Sequence, residues 1–94
     1  MQVKGVIWRP EIEDKLWEKH HLTVFEAEEV LFGKPYVRFV EQGHQQGEDL
    51  YAAYGQTEAG RYVIVFYVLK QGRRALVISA RDMDSKERKT YGRG

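Results

Sequence analysis

The sequence contains no cysteine among its 94 residues, which excludes disulfide scaffolds, zinc–thiolate sites and cysteine nucleophiles. Proline is scarce, with 2 residues, and the 9 glycines are too few for a collagen-like or disordered chain. The longest apolar run, 62–69, covers eight residues, less than half of a membrane span. No basic segment followed by a long apolar stretch opens the chain, so we see no export signal. We therefore expect one small cytoplasmic domain over residues 1–94.

Charge is unevenly distributed, although the formal net charge is only +1. Residues 1–50 carry six basic and ten acidic side chains, a net charge of −4, whereas residues 51–94 carry nine and four, a net charge of +5. This division makes the C-terminal quarter a candidate surface for phosphate groups. The alternative is an ordinary solvated terminal helix.

The first third of the chain predicts one strand followed by two helices. Residues 3–8 are rich in Val, Ile and Trp and predict a strand. Pro10 suits the first position of a helix over 10–20, with acidic residues in its first turn and basic residues in its last. Thr23 and Glu26 have the spacing of a capping box, which predicts a second helix ending near Gly33.

From Pro35 onward the pattern predicts strands. We expect strands over 36–41, 49–57, 61–69 and 73–81, with a loop over 42–47 and tight turns between the last three strands. The strand 61–69 has large apolar residues on both faces, which indicates a central strand covered by helices on one side and by another element or a partner protein on the other. A short polar helix begins at Asp84. The expected fold class is α+β, with the N-terminal strand and two helices packed on an antiparallel sheet and a short C-terminal helix.

Several familiar catalytic patterns are missing. We find no glycine-rich phosphate loop, no metal-ligand spacing and no nucleophile elbow around Ser79 or Ser85. The remaining His, Arg, Lys, Glu and Tyr residues suit metal-free RNA cleavage, in which a 2′-hydroxyl attacks the adjacent phosphate and the protein supplies an acid, a base and cations. We expect no metal and no cofactor.

Arg81 is the strongest individual candidate, because it ends an apolar strand and a guanidinium held there can bind a phosphate in a bidentate manner. The alternative is a salt bridge to Asp82, Asp84 or Glu87.

The other candidates also have structural alternatives. His20 and Lys19 close the first predicted helix, where they can transfer protons or simply interact with helix-end carbonyls. Tyr91 shares a helical face with Glu87, although the more common role of such a residue is to anchor its helix. Arg61 lies beside a turn, where basic residues are usually just exposed. The predicted catalytic set is Lys19, His20, Arg61, Arg81, Glu87 and Tyr91, and the predicted RNA-binding set is Arg73, Arg74, Lys86 and Arg88.

Several segments together resemble the BrnT family of type II toxins, from about Trp8 to Tyr91. The segments are Lys19-His20, the acidic run 26–30, Gly55 to Arg61, and Ile78-Ser79-Ala80-Arg81 followed by Glu87-Arg88 and Tyr91. The resemblance implies a RelE/ParE-like fold, an endoribonuclease that arrests translation, and a ribbon-helix-helix antitoxin of the BrnA type through which the toxin acts on DNA indirectly. Many relatives have Gly at the position of His21 and Arg at Leu76 and near Leu50.

Two hypotheses follow. The first is a metal-independent endoribonuclease toxin in which Arg81 and Arg61 hold phosphate, His20 and Lys19 assist proton transfer, and Glu87 and Tyr91 complete the site. The second is a catalytically silent module that binds a small DNA-binding partner, favoured by Leu50, Leu76 and the two apolar faces of the central strand. A plain RNA-binding domain is a weaker third, because paired aromatic residues in an RNP-like pattern are absent.

Overall fold

In the computed structural model, which describes residues 2–45 and 47–93, five strands and three α-helices follow one another along the chain. Their order is β1 (Gly5–Ile7), α1 (Pro10–His20), α2 (Val24–Phe32), β2 (Tyr36–Glu41), β3 (Leu50–Gln56), β4 (Tyr62–Lys70), β5 (Arg74–Asp82) and α3 (Ser85–Arg93). The predicted ranges of α1 and β2 are confirmed to the residue, and β3, β4 and β5 differ by one residue at each end. Gln46, in the predicted loop 42–47, lies outside the described residues.

Local chemistry explains where the helices begin. Pro10 occupies the first turn of α1, where its missing N–H costs no hydrogen bond. The predicted capping box of α2 is present: the Glu26 amide donates to Thr23 Oγ1 at 3.2 Å and the Thr23 amide donates to Glu26 Oε1 at 3.0 Å. An equivalent pair begins α3, with the Glu87 amide donating to Asp84 Oδ1 at 2.8 Å and the Asp84 amide donating to Glu87 Oε1 at 2.9 Å.

The strands form one sheet in the order β1-β5-β4-β3-β2. Strands β2 to β5 are antiparallel neighbours, as predicted. The prediction of a wholly antiparallel sheet is wrong, because β1 pairs in parallel with the start of β5, Gly5 opposite Arg74 and Ile7 opposite Leu76. Turn residues indicate hairpins between consecutive strands, whereas no local signal links two strands that lie at opposite ends of the chain.

The sheet has two distinct faces. Helices α1 and α2 cover the first, here called the helix face, where Leu16 and Leu31 pack with the inward residues of β4, Val63, Val65 and Tyr67. The second, here called the groove face, carries a smaller cluster formed by Ala52, Tyr54, Ile64 and Met83, with Tyr62, Phe66 and Tyr91 packed around it. The prediction that β4 is apolar on both faces is therefore confirmed, and α3 covers one end of the groove face. None of the described helices combines the length and apolar composition needed to cross a membrane.

Candidate functional site

A cavity of about 350 Å³ opens on the groove face between β2 and α3. Its floor comes from the central strands. Its charged residues are Arg38 on β2, on one side, and Arg81 on β5 with Glu87 on α3, on the other. We call this cavity the groove, and its lining residues are Arg38, Phe39, Val40, Ala52, Tyr54, Ile64, Phe66, Arg81 and Glu87.

Arg81 and Glu87 form a bidentate ion pair in the groove. The Arg81 Nη1 donates to Glu87 Oε1 at 2.6 Å and Nη2 donates to Oε2 at 2.8 Å. This hydrogen bonding raises the pKa of Arg81 and lowers the pKa of Glu87, so both groups are charged at neutral pH. The Arg81 guanidinium also lies 5.5 Å from the centre of the Phe66 ring, within the range of a cation–π interaction. The salt bridge given above as the alternative for Arg81 is thus present, with Glu87 as the partner.

Arg81 nevertheless retains hydrogen-bonding capacity. A guanidinium has five N–H donors, and those of Arg81 are used by Glu87 and, at 3.3 Å, by the carbonyl of Asp82. The Nε–H and one Nη2 hydrogen have no acceptor among the described residues. About a third of the side chain is exposed, 36%, so a phosphate oxygen can reach these donors.

Arg61 is placed differently, because its donors are engaged inside the protein. Its Nε and Nη2 donate to the two carboxylate oxygens of Asp82 at 2.6 and 3.0 Å. Nη2 also donates to the carbonyl of His20 at 2.6 Å, and Nη1 donates to the carbonyl of His21 at 2.9 Å and to Glu26 at 3.3 Å. All five N–H groups therefore have acceptors, and Arg61 joins the end of α1, the start of α2 and the end of β5.

The pKa values around Arg61 follow from this network. Hydrogen bonding to Asp82 raises the pKa of Arg61 and lowers the pKa of Asp82. Burial opposes ionisation of Glu26, but hydrogen bonds from Thr23 and Arg61 outweigh it and lower its pKa. The arrangement supports a positioning role for Arg61 rather than direct contact with phosphate.

Lys19 and His20 lie on the helix face. They line a second cavity, of about 240 Å³, with Lys15 of α1 and Ile78 and Ser79 of β5. The carbonyl of His20 accepts from Arg61 Nη2, which places the end of α1 at the Arg61 network. Since Asp82 and Arg81 are consecutive residues of β5, their side chains point to opposite faces. The predicted catalytic residues are therefore divided between the two sides of the sheet.

Tyr91 and the basic residues of α3 lie on the groove face, beside the groove. The Tyr91 ring meets the Tyr62 ring edge-on, with centres 6.1 Å apart, and the Arg88 guanidinium lies 4.2 Å from the centre of the Tyr62 ring. These three side chains line a cavity of about 320 Å³ with Gln56 and Lys89. Lys86 is exposed on the same helix.

Arg73 and Arg74 are remote from Arg81. Arg74 begins β5 and Arg81 lies near its end, a separation of about 23 Å at the usual rise per strand residue. Arg73 precedes the strand, in the turn from β4. These two side chains are exposed and are not part of the groove.

Three residues of the groove, Arg38, Tyr54 and Phe66, are not among the site residues predicted from the sequence. Arg38 is the one basic residue of β2, flanked by Val37 and Phe39, and a lone cation in an apolar strand is the signal that would have found it. Tyr54 and Phe66 carry no such signal, because aromatic residues are common in any strand. Only the register, which places Ala52 opposite Phe66 and Arg38 opposite Ala52, brings them together.

The strand register also aligns Leu50 and Leu76 across the sheet. Leu50 lies opposite Val68, and Val68 lies opposite Leu76. The three side chains therefore form an apolar row across β3, β4 and β5, next to the row that contains Phe66. Leu50 and Leu76 thus lie on the same face of the sheet, on either side of Val68.

Within residues 2–45 and 47–93 no group of three or more His, Asp or Glu side chains is arranged to hold a metal ion. Comparison with known proteins identifies the family of the chain. A search of curated proteins gave no significant match. Residues 8–87, which include Lys19, His20, Arg61, Arg81 and Glu87, match the family model described as the ribonuclease toxin BrnT of type II toxin–antitoxin systems. The resemblance seen in the sequence is confirmed, and the chain belongs to the BrnT family of ribonuclease toxins.

Proposed function

We propose that this toxin cleaves RNA at the groove without a metal ion, and that Arg81 binds the phosphate at which the strand breaks. One observation carries the proposal: Arg81 keeps two unused N–H donors beside an ionised carboxylate, Glu87, in a cavity of about 350 Å³. A fixed cation next to a base is what attack by a 2′-hydroxyl requires.

The chemistry at the groove has two proton transfers. The 2′-oxygen bonds to phosphorus as its proton passes to a base, and the bond from phosphorus to the 5′-oxygen breaks as an acid protonates that oxygen. Glu87 is the base nearest Arg81, and Tyr91, on the same helix, is the acid on this face. Arg81 donates to the phosphate oxygens as their charge increases, and the half-buried ring of Phe66 offers a stacking surface to a base.

Lys19 and His20 reach the same RNA around the edge of β5. Strand β1 pairs with β5 only at residues 74–76, so the edge from 77 to 82 carries no neighbouring strand within the described residues. An RNA strand that crosses this edge meets Lys19 and His20 on one side and Arg81, Lys86 and Arg88 on the other. Arg73 and Arg74 lie at the far end of β5, so only an RNA long enough to span the strand can contact them as well as the groove.

The test is an RNA cleavage assay in the presence of a chelator. Wild-type protein is expected to cleave RNA at an unchanged rate with and without EDTA, and Arg81→Ala is expected to lower the rate by about 100-fold. Arg9→Ala is the matched control, because Arg9 is an exposed arginine that precedes α1 and does not line the groove. Cleavage that needs a metal ion, or that Arg81→Ala leaves unchanged, contradicts the proposal.

The remaining parts of the proposal concern the cell. Membership of a type II toxin–antitoxin family implies an antitoxin partner. We propose that this partner is a ribbon-helix-helix protein of the BrnA type, that RNA cleavage inhibits translation in the cytoplasm, and that the α+β fold is of the RelE/ParE type. Expression of the toxin alone is expected to stop incorporation of labelled amino acids, and co-expression of the antitoxin is expected to restore it.

A catalytically silent binding module is the second candidate, favoured by the apolar row Leu50, Val68 and Leu76. Leucine at positions 50 and 76 brings less positive charge for RNA than arginine would, and the half-buried Leu50 and Val68 offer apolar surface to a protein. The two functions separate in one experiment: intact RNA in the cleavage assay, together with a tight complex with the antitoxin, favours the silent module. Rapid cleavage by the free protein favours the endoribonuclease.

A further inference from the structure

The outer edge of β2 is unpaired and apolar. Strand β2 is last in the sheet order, so the backbone groups on its outer side have no neighbouring strand among the described residues. Three large hydrophobic side chains are exposed on it, Tyr36 at 38%, Phe39 at 56% and Val40 at 47%. Folded proteins usually shield such an edge, because an exposed apolar strand pairs readily with another chain.

A bulge in β2 places two side chains of opposite charge on the same face of the strand. Arg38 lies opposite Ala52 and Glu41 lies opposite Leu50, although three positions separate Arg38 from Glu41. Since Ala52 and Leu50 point to the same face of β3, Arg38 and Glu41 also share a face, the groove face. The four ion pairs of the described residues include neither of them.

We propose that two copies of this chain pair through β2, antiparallel and about a twofold axis perpendicular to the sheet. In this arrangement Arg38 of one copy lies opposite Glu41 of the other, and symmetry repeats the pair. Because the bulge puts Arg38 and Glu41 on the same face, two antiparallel copies can place these two residues opposite each other. Phe39 and Val40, between the charges, are then covered by the same two residues of the second copy.

The dimer has a consequence for the groove. A twofold axis perpendicular to the sheet keeps both groove faces on one side of a continuous ten-stranded sheet. Arg38, Phe39 and Val40 line the groove, so the second copy completes the wall that α3 does not provide. The two grooves then lie side by side on one surface.

The primary measurement is sedimentation equilibrium of the purified full chain, without RNA. One edge strand of six residues forms a small interface, so the wild type is expected to dimerise reversibly in a range of about 1–500 μM. Phe39→Lys is expected to abolish the dimer, because it places two charges in the apolar part of the interface. Phe25→Lys is the control, since Phe25 is 77% exposed on α2, away from this edge, and the dimer is expected to persist.

Charge reversal tests the register. Arg38→Glu and Glu41→Arg each create two like-charge contacts per dimer, and each is expected to weaken self-association by about tenfold. An equimolar mixture of the two variants is expected to regain it as a heterodimer. In that heterodimer the carboxylate introduced at position 38 of one chain faces the guanidinium introduced at position 41 of the other, and the native pair forms the second contact. Recovery in the mixture also demonstrates that both variants are folded.

Three results would overturn the proposal. They are a wild type that stays monomeric at every concentration, a dimer that both reversals leave unchanged, and variants that fail to recover on mixing. A chain that is monomeric alone and gains a strand from the antitoxin at β2 gives the first of these results. None of the measurements involves RNA, so failure here is distinct from failure of the cleavage proposal.

Discussion

At the residue scale, Arg61 and Arg81 occupy similar places in the sequence but differ in how many of their N–H groups are already bonded. Both are arginines beside the end of a strand, and both hydrogen-bond to carboxylates. Arg61 has acceptors for all five of its N–H groups, whereas Arg81 has donors left. A phosphate can therefore add to the contacts of Arg81, but must replace contacts of Arg61.

Replacing Arg61 is expected to cost stability. Arg61→Ala leaves Asp82, Glu26 and the carbonyls of His20 and His21 without their donor, and is expected to lower the free energy of unfolding by about 2–3 kcal/mol. Arg61→Lys is expected to recover only part of this loss, because an ammonium cannot bind Asp82 in a bidentate manner. Urea unfolding of the two variants measures both losses of stability. Unchanged stability combined with lost RNA binding would instead indicate direct phosphate contact.

Replacing Tyr67, by contrast, is expected to increase stability. Its side chain is fully buried on the helix face, and its hydroxyl has no hydrogen-bond partner within the described residues. Burial also raises the pKa of this phenol. Tyr67→Phe removes the unpaired group without changing the ring, and is expected to raise the free energy of unfolding by about 1 kcal/mol. A destabilised variant in thermal or urea unfolding would mean that the hydroxyl does have a partner.

At the scale of elements, the contact between α2 and β3 depends on a glycine. A Cβ added to Gly55 would lie 2.9 Å from Cγ1 of Val30, closer than carbon atoms pack. Val30 is itself buried between α2 and the sheet, so it has little room to move. Gly55 therefore sets how closely the second helix approaches the central strands.

Two matched substitutions test this contact. Gly55→Ala is expected to lower the free energy of unfolding by about 1–3 kcal/mol, through overpacking against Val30. Gly92→Ala is the control in α3, where an added Cβ meets nothing within 4 Å, and it is expected to be neutral or stabilising by up to about 1 kcal/mol. Equal effects of the two substitutions in urea unfolding would argue against a close helix–strand approach.

At the scale of the whole molecule, the division of charge found in the sequence becomes a division in space. The helical layer of α1 and α2 carries seven acidic and two basic side chains over residues 10–32. Arg38, Arg81, Lys86 and Arg88 lie on the groove side or on α3. A near-zero net charge therefore conceals a basic surface and an acidic one.

Acid is expected to destabilise the fold through three carboxylates. The pKa values of Glu26, Asp82 and Glu87 are lowered by their hydrogen bonds with Arg61, Thr23 and Arg81. A carboxylate whose pKa is lower in the folded state stabilises that state at neutral pH, and this stabilisation is lost as the pH falls below about 4.5. The raised pKa values of the two arginines have no effect in this range.

Urea unfolding between pH 7 and pH 3 measures this dependence. The free energy of unfolding is expected to fall with acid, and Glu87→Gln, which removes one of the three groups, is expected to make the fall shallower. A pH dependence identical in variant and wild type would show that the Arg81–Glu87 pair contributes nothing to it.

The sequence by itself determined the local structure. Pro10, the Thr23–Glu26 capping box and the turn residues between β3, β4 and β5 act over a few positions, so the helices and strands were predicted to within a residue or two. The salt bridge of Arg81 is local too, but the sequence left Asp82, Asp84 and Glu87 open as its partner, and the structure shows that it is Glu87.

Only the tertiary structure decided what lies side by side. Four features depend on residues that are distant in the chain. They are the parallel pairing of β1 with β5, the acceptors around Arg61, the placement of Lys19 and His20 on the face opposite Arg81, and the presence of Arg38 and Phe66 in one groove. Such contacts depend on strand register and on helix packing. Both are set by the burial of the whole apolar surface together, which no local pattern of residues encodes.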